Sequence, residues 1–349
     1  MAKYFFEVFD RLPQLSTSFD PSKSPVERGP RSLQLWALLA LHVFVREGVD
    51  VAILETHTGG EYDATNVVTK PLVTAVTALG VDHVEMLGPT IENIAWHKSG
   101  IYKPGAVALS TTQDAVPAKM LEQRAGARGC RVTFVDEDQR LPAESIQLQP
   151  AVQRKNASLA IAIAQAYLQN YNHDLTEPDI RTGIEQWSWP GRFQIVTKGK
   201  HTWFLDSAHN AMSVALAAEW FVETSTALHR PLPDVNRILI FSHINELRDG
   251  PALLGCLAEA LKARSAGIKH VIFSTYDEVA VSNGLSTVVS SRGFCEVWRK
   301  SQPHTQVWNE PTVQGAIRLA EELAEGGTAH ILVTGSDHLV GPALNILQP

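Results

Sequence analysis

Short β-branched runs alternate with longer amphipathic stretches from end to end of this 349-residue chain, and no other feature constrains its fold as much. Parallel strands need a long crossover between them, usually a helix, so the alternation specifies an α/β architecture with parallel sheets. In the first half, Val49–Glu55, Leu72–Leu79, Ala106–Ser110 and Cys130–Val135 read as strands, with helices over Leu33–Arg46, Thr90–Gly100 and Ala115–Ala127. A polar stretch, Asp136–Pro150, leads to a helix around Asn156–Asn170. In the second half the strands are Thr202–Asp206, Arg237–Ser242, His270–Ser274 and Ala329–Thr334, with helices near Met212–Glu223, Ala252–Ala263 and Val313–Ala324. Single cores rarely organise more than roughly 250 to 300 residues. Two domains are therefore expected, residues 1–188 and 189–349, hinged at the Trp-Pro-Gly turn Trp189–Gly191.

Composition excludes more than it selects. With 30 Lys+Arg against 37 Asp+Glu the formal charge is −7, which gives no basic face for a nucleic-acid partner. The most apolar stretch, Leu35–Val45, is broken by His42 and is too short to span a bilayer. It reads as a buried helix. The opening MAKYFFEVFDRL carries Glu7 and Asp10 where a signal peptide needs a clean apolar run. Three widely spaced cysteines, Cys130, Cys256 and Cys295, form no disulfide framework and no CxxC metal site, so a cytoplasmic location is expected. Ser16–Arg31, rich in Ser, Pro and charge, reads as a surface loop.

Chemistry concentrates at strand ends. Glu55 closes a strand that runs into Gly59-Gly60 and Asp63-Ala-Thr-Asn66, and Asp82-His83 follows another, which puts both at the carboxyl edge of a parallel sheet. Glu55 and His83 have the donor atoms to share a divalent cation. The plainer reading of His83 is a satisfied, partly buried histidine. His57, His83 and His97 fall within these strand-tip motifs, and histidine ordinarily titrates near neutral pH, which suits general acid–base work. Lys98 is equally well read as a last-turn lysine facing the helix dipole, and Asp206 as a helix-start or turn acid.

Seven ordered blocks carry a resemblance. They are Glu55…Gly59-Gly60…Asp63-Ala-Thr-Asn66, Gly80-Val-Asp82-His83…Leu87-Gly88, Ile94-Ala-Trp-His-Lys98-Ser-Gly-Ile101, Gln153-Arg-Lys-Asn156-Ala, Trp189-Pro-Gly-Arg192, Leu205-Asp206-Ser-Ala-His209-Asn210 and Leu332-Val-Thr-Gly335-Ser336-Asp-His338. Together they resemble folylpolyglutamate synthases of the Mur ligase superfamily, fungal versions most closely. The resemblance implies a Mur-ligase-type parallel-sheet central domain followed by a Rossmann-like C-terminal domain. It also implies a ligase that activates a folate carboxyl with ATP for attack by the amine of glutamate. It matches Glu55 and His83 to Mg²⁺ ligands and Lys98 to a lysine that can be carbamylated. Asn156, Arg192 and Asp206 match ATP contacts, with His209 in the same nucleotide-facing motif.

The family's phosphate loop, G-x-x-x-x-G-K-[ST], lies upstream of the block matching MAKYFFEVFDRL. The 349 residues contain no such motif, and the one Gly-Lys, Gly199-Lys200, is followed by His201. Other departures are His57, Pro89, Ser207, the Phe241-Ser242-His243 run and Arg31-Ser-Leu-Gln-Leu in place of an aromatic folate-side stretch, although Arg248-Asp249 survive. The leading expectation is a truncated, repurposed enzyme acting in an inter-domain cleft on a carboxylate- or amide-bearing metabolite, without family-type ATP hydrolysis. The alternatives are an ATP-dependent ligase whose phosphate loop comes from another polypeptide or whose nucleotide binds weakly, and a non-catalytic binding subunit. A homodimer or partner chain is expected to cover the sheet edge and apolar surface left by the missing segment.

Overall fold

The structure is a computed structural model that describes residues 2–12, 30–228, 235–243, 249–275, 286–324 and 326–348. Most of Ser16–Arg31, and Arg248, lie outside the described residues. Two compact units emerge, residues 1–79 with 87–134, and residues 80–86 with 135–349.

The first unit begins with α1 (Ala2–Phe9) against α2 (Ser32–Glu47). It continues through β1 (Val73–Val76), the single turn α3 (Val84–Leu87) whose first residues belong to the second unit, α4 (Ile91–Lys98), β2 (Val107–Thr111), α5 (Ala115–Ala127) and β3 (Val132–Val135). The sheet order is β1-β2-β3, with β1 parallel to β2. Its core gathers Val76, Ala95, Tyr102, Leu121 and Val132.

Two expectations fail here. Val49–Glu55 is not a strand: residues 51–56 carry no regular structure, and Ile53 is 89% exposed. Its β-branched composition suits a sheet, but strand formation needs a hydrogen-bonding neighbour, and among the described residues it has none. The apolar helix α2 forms as expected but is not buried; only Leu39 is enclosed, while Trp36 and Val45 are largely exposed. Packing chiefly against α1 and the 3₁₀ turn Ala64–Val67 leaves most of its circumference uncovered.

The second unit divides from the first at 134/135 rather than at the expected 188/189. Residues 135–188 bring α6 (Ala151–Leu168) and α7 (Glu177–Gln186), which enclose a small core of their own around Leu141, Leu148, Ile161, Ile180 and Ile184. The remainder is a six-stranded sheet with the helices between its strands. In chain order these are β4 (Gln194–Lys198), β5 (His201–Asp206), α8 (Ala211–Ala227), β6 (Asn236–Phe241), α9 (Gly250–Ala263), β7 (Ile268–Ser274), α10 (Ser286–Ser301), β8 (Gln306–Glu310), α11 (Val313–Leu323), β9 (Ala329–Thr334) and α12 (Asp337–Leu347). The strand order is β4-β5-β9-β6-β7-β8, parallel throughout except for the edge strand β4. The central strand β9, AHILVT, is buried along its whole length, as expected where both faces of a sheet are covered. On one face α8, α9 and α10 pack around Phe204, Phe221, Leu254 and Trp298. On the other, α11 and α12 pack around Trp203, Ile240, Ile317 and Val333. Helices start on oxygen caps at Asn210, Asp249, Thr312 and Ser336.

One close approach in the first unit is unforgiving. A Cβ on Gly100 would collide with the backbone of Glu61, whose carboxylate receives both Arg124 and Arg128. Gly100→Ala is expected to cost about 2 kcal/mol in urea unfolding. Gly126→Ala, in α5 with open space around the added methyl, is expected to gain about 0.5 to 1 kcal/mol. Equal stability of the two variants would contradict this packing.

Candidate functional site

In the six-stranded sheet, the helices leaving β5 and β6 lie on one face, and those before and after β9 lie on the other. Since β9 sits between β5 and β6, the helices diverge on both sides of it, and a crevice opens beyond its carboxyl end. In open α/β sheets this is where ligands bind. The residues found there are Asp206 to Asn210 after β5, Ser242 and His243 after β6, and Gly335 to Asp337 after β9.

These three strand ends are tied together. Asp206 is 3% exposed, and its carboxylate accepts the Phe193 amide at 2.9 Å. Ser207 donates its amide to the Gly191 carbonyl at 2.9 Å, so the Trp189-Pro-Gly-Arg192 turn lies along the end of β5. Gly191 has φ +73° and Phe193 has φ +45°, left-handed conformations that the tight turn requires. The turn presents Arg192, which pairs with Asp337 at 3.4 Å. Across β9, buried His243 donates from Nδ1 to the Gly335 carbonyl at 2.7 Å. A Cβ on Gly335, whose φ is +117°, would run into the Ser242 carbonyl and the Phe241 ring. Only glycine lets these two strand ends approach so closely.

The segment 80–86 joins this unit on the α8 side. Asp82 accepts from Asn210 Nδ2 at 3.2 Å and lies 3.7 Å from His209 Nε2, while its other oxygen accepts the His83 amide at 2.8 Å. His209 Nδ1 is 2.9 Å from the Ser207 carbonyl. A carbonyl only accepts, so Nδ1 carries a proton and Nε2 faces the Asp82 carboxylate. Asn210 also caps α8 by accepting from Ser213. The crevice thus offers one guanidinium, an oriented imidazole, and the N-termini of α8 and α12, a combination suited to anionic groups.

The expected residues are only partly gathered. Arg192, Asp206 and His209 share the crevice. Asn156 does not join them: its side-chain amide donates to Gln153 Oε1 at 3.1 Å in the wall of a cavity between α6 and α7, and none of the three crevice residues lines that cavity. In the first unit the amides of His57 and Thr58 both donate to Asp63 at 2.9 Å, and the His57 ring meets Thr58. His97 and Lys98 end α4, and His97 stacks edge-on against Tyr62 and Trp96 with no hydrogen bond or ring contact to His57. His83, with φ +52°, belongs to the second unit, and exposed Glu55 to the first. Among the described residues no group of three or more His, Cys, Asp or Glu side chains gathers as a metal site. Sequence reasoning placed Asp82, His243 and Asp337 within its motifs but gave none of them a role. The signal available for His243 and Asp337 was their position just past β6 and β9.

Relatives share nearly all of this chain. Folylpolyglutamate synthase of Neurospora crassa is 36% identical over 375 aligned residues, covering 99% of this chain and 70% of that protein. The chain belongs to the folylpolyglutamate synthase family. A probable folylpolyglutamate synthase of Schizosaccharomyces pombe is 34% identical over 99% of the chain and 71% of its own length. Among solved structures, Mycobacterium tuberculosis folylpolyglutamate synthase complexed with ADP and AMPPCP superposes with a TM-score of 0.78 at 20% identity, covering 99% of this chain and 78% of that one. E. coli FolC in complex with DHPP and ADP gives 0.69 at 24% identity, covering 92% and 72%. The two-domain α/β fold of the family is therefore the fold of this chain. No protein-family model matches the sequence. Among the described residues no helix is long and apolar enough to cross a membrane.

The family's Asp206 position carries a measurable signature here. Burial pushes its carboxyl up from 3.8 to about 6, against the lowering effect of the Phe193 amide, the Arg192 charge and the Ala208 amide. The folded chain then holds this proton more tightly than the unfolded chain, so the stabilisation is present at low pH and is lost as pH rises through about 4 to 6. Asp206→Asn cannot ionise and keeps an acceptor for Phe193. Its melting temperature relative to wild type is expected to rise between about pH 4 and pH 7. A difference independent of pH would show that the carboxyl does not titrate in that window.

Proposed function

We propose that this chain supplies the nucleotide-holding part of a folylpolyglutamate-synthase-type ligase, in which ATP activates a carboxyl group and an amino-acid amine displaces the phosphate to form an amide. The crevice beyond β9 carries this reading, because it brings Arg192, Asp206 and His209 of two separate family motifs together beside two helix N-termini. The relatives' names support it, as do the ADP and AMPPCP complexes of the Mycobacterium tuberculosis enzyme. In this reading Arg192 faces the phosphate charge, Asp206 holds the turn that presents Arg192, and the Ser207 carbonyl and Asp82 fix the orientation of His209. Phosphoryl chemistry depends mostly on such positioning and charge neutralisation. Asn156 is left out of this assignment because of the wall in which it lies.

A second reading is a repurposed enzyme acting on a carboxylate- or amide-bearing metabolite without family-type ATP hydrolysis. It is favoured by the Asp63 turn, which takes up the amides of His57, Thr58 and Thr65 and so presents none of them to a phosphate. The exposed apolar side chains of α1 and α2, Phe6 and Trp36 among them, support the expected homodimer or partner chain. A monomeric mass by light scattering at micromolar concentration would count against that part.

Calorimetric titration with ADP separates the two enzyme readings. Saturable binding that weakens by about tenfold or more in Arg192→Ala is the outcome expected for the ligase part. No binding, or binding indifferent to Arg192→Ala, overturns it. ATP-dependent ligation of glutamate by the purified chain would sink the repurposed reading.

A further inference from the structure

Arg192, the guanidinium that the crevice offers to an anion, already faces a carboxylate. Its terminal nitrogen lies 3.4 Å from Asp337, and its side chain donates no hydrogen bond among the described residues. A charge-assisted hydrogen bond between such groups spans about 2.7 to 2.9 Å, so the contact is a loose ion pair. The side chains are 36% and 66% exposed, and a pair so open to water adds little to stability. The turn that carries Arg192 is held elsewhere, by the Ser207 amide on the Gly191 carbonyl and the Phe193 amide on Asp206.

Asp337 is the first residue of α12, directly after the cap Ser336, whose hydroxyl accepts the His338 amide at 3.2 Å. An acid at that position is favoured by the helix dipole. It also sets a fixed negative charge on the helix end that would otherwise face a phosphate. The other carboxylates of the crevice are engaged: Asp206 is buried on the Phe193 amide, and Asp82 accepts from Asn210 and from the His83 amide. Asp337 accepts no hydrogen bond among the described residues, and its charge is turned on Arg192. Both charges reach Asp206, whose carboxyl is raised chiefly by burial, lowered by Arg192 and raised again by Asp337.

We infer, on the nucleotide reading of the crevice, that Asp337 is an internal competitor for the ligand's phosphate and so a specificity-determining residue. Arg192 must leave this carboxylate before it meets a phosphate, and the incoming charge is repelled by the carboxylate that remains beside it. The cost falls on every anion that reaches Arg192. A ligand held by charge alone is rejected, and one with further contacts is retained.

Calorimetric titration of the full chain with ADP, at about 50 mM salt, tests this role. Asp337→Asn is expected to bind ADP about three- to tenfold more tightly than wild type. Asp337→Glu, which keeps the charge, should stay within about twofold of wild type. The gain in Asp337→Asn should shrink at about 0.5 M salt, where exposed charges are screened. Its melting temperature should be equal to or slightly below that of wild type, since α12 loses its first-turn acid, so tighter binding cannot come from a better-folded chain. Tightening in Asp337→Glu equal to that in Asp337→Asn, or a gain indifferent to salt, would overturn the role. Wild-type ADP binding that is unchanged or weakened in Asp337→Asn would overturn it and leave the nucleotide reading standing. Absence of binding in both chains would overturn the two together.

Discussion

Everything functional in the second unit depends on the place of one strand. Because β9 returns last and inserts between β5 and β6, its helices lie on the face opposite to theirs, and the sheet splits open past its carboxyl end. The insertion is possible because β9 is buried on both faces and can take hydrogen bonds from two parallel neighbours at once. Gly335 then lets the end of β9 pass within contact of the end of β6.

The crevice so formed is maintained at some cost to stability. Asp206 sits almost wholly out of water, where a carboxylate is penalised, and its neighbouring amides and Arg192 offset only part of that. Arg192 and Asp337 are too exposed for their ion pair to hold the fold together. What the arrangement gains is geometry: a turn locked to the end of β5, an arginine projecting from it, and a histidine whose tautomer is set by the Ser207 carbonyl. Natural folds commonly accept such local penalties at sites of chemistry rather than in ordinary core.

Much of this was legible in the sequence where burial is two-sided. The runs ILIF of β6 and ILV of β9 are continuous apolar segments suited to a covered parallel sheet, and both lie where they were expected. Edge strands were not legible. Val-Trp-Asn-Glu in β8 and Ile-Val-Thr-Lys in β4 are half polar, and only their neighbours reveal them as strands. Val49–Glu55 shows the converse error, a composition suited to a strand with no partner among the described residues. The family resemblance brought Arg192, Asp206 and His209 forward. It carried no hint that Asp82 meets Asn210, 128 residues away, nor that Asn156 faces a slot between two helices. Local pattern encodes an element and its ends; which ends meet is decided by packing over the whole unit.

Hydrogen exchange measured by mass spectrometry with and without AMPPCP tests the central claim most directly. Nucleotide binding at the crevice should slow exchange in peptides covering Gly191–Phe193, Asp206–Asn210 and Gly335–His338, and leave Ala157–Ile184 unchanged. Protection confined to Ala157–Ile184, or absent throughout at saturating nucleotide, would contradict it.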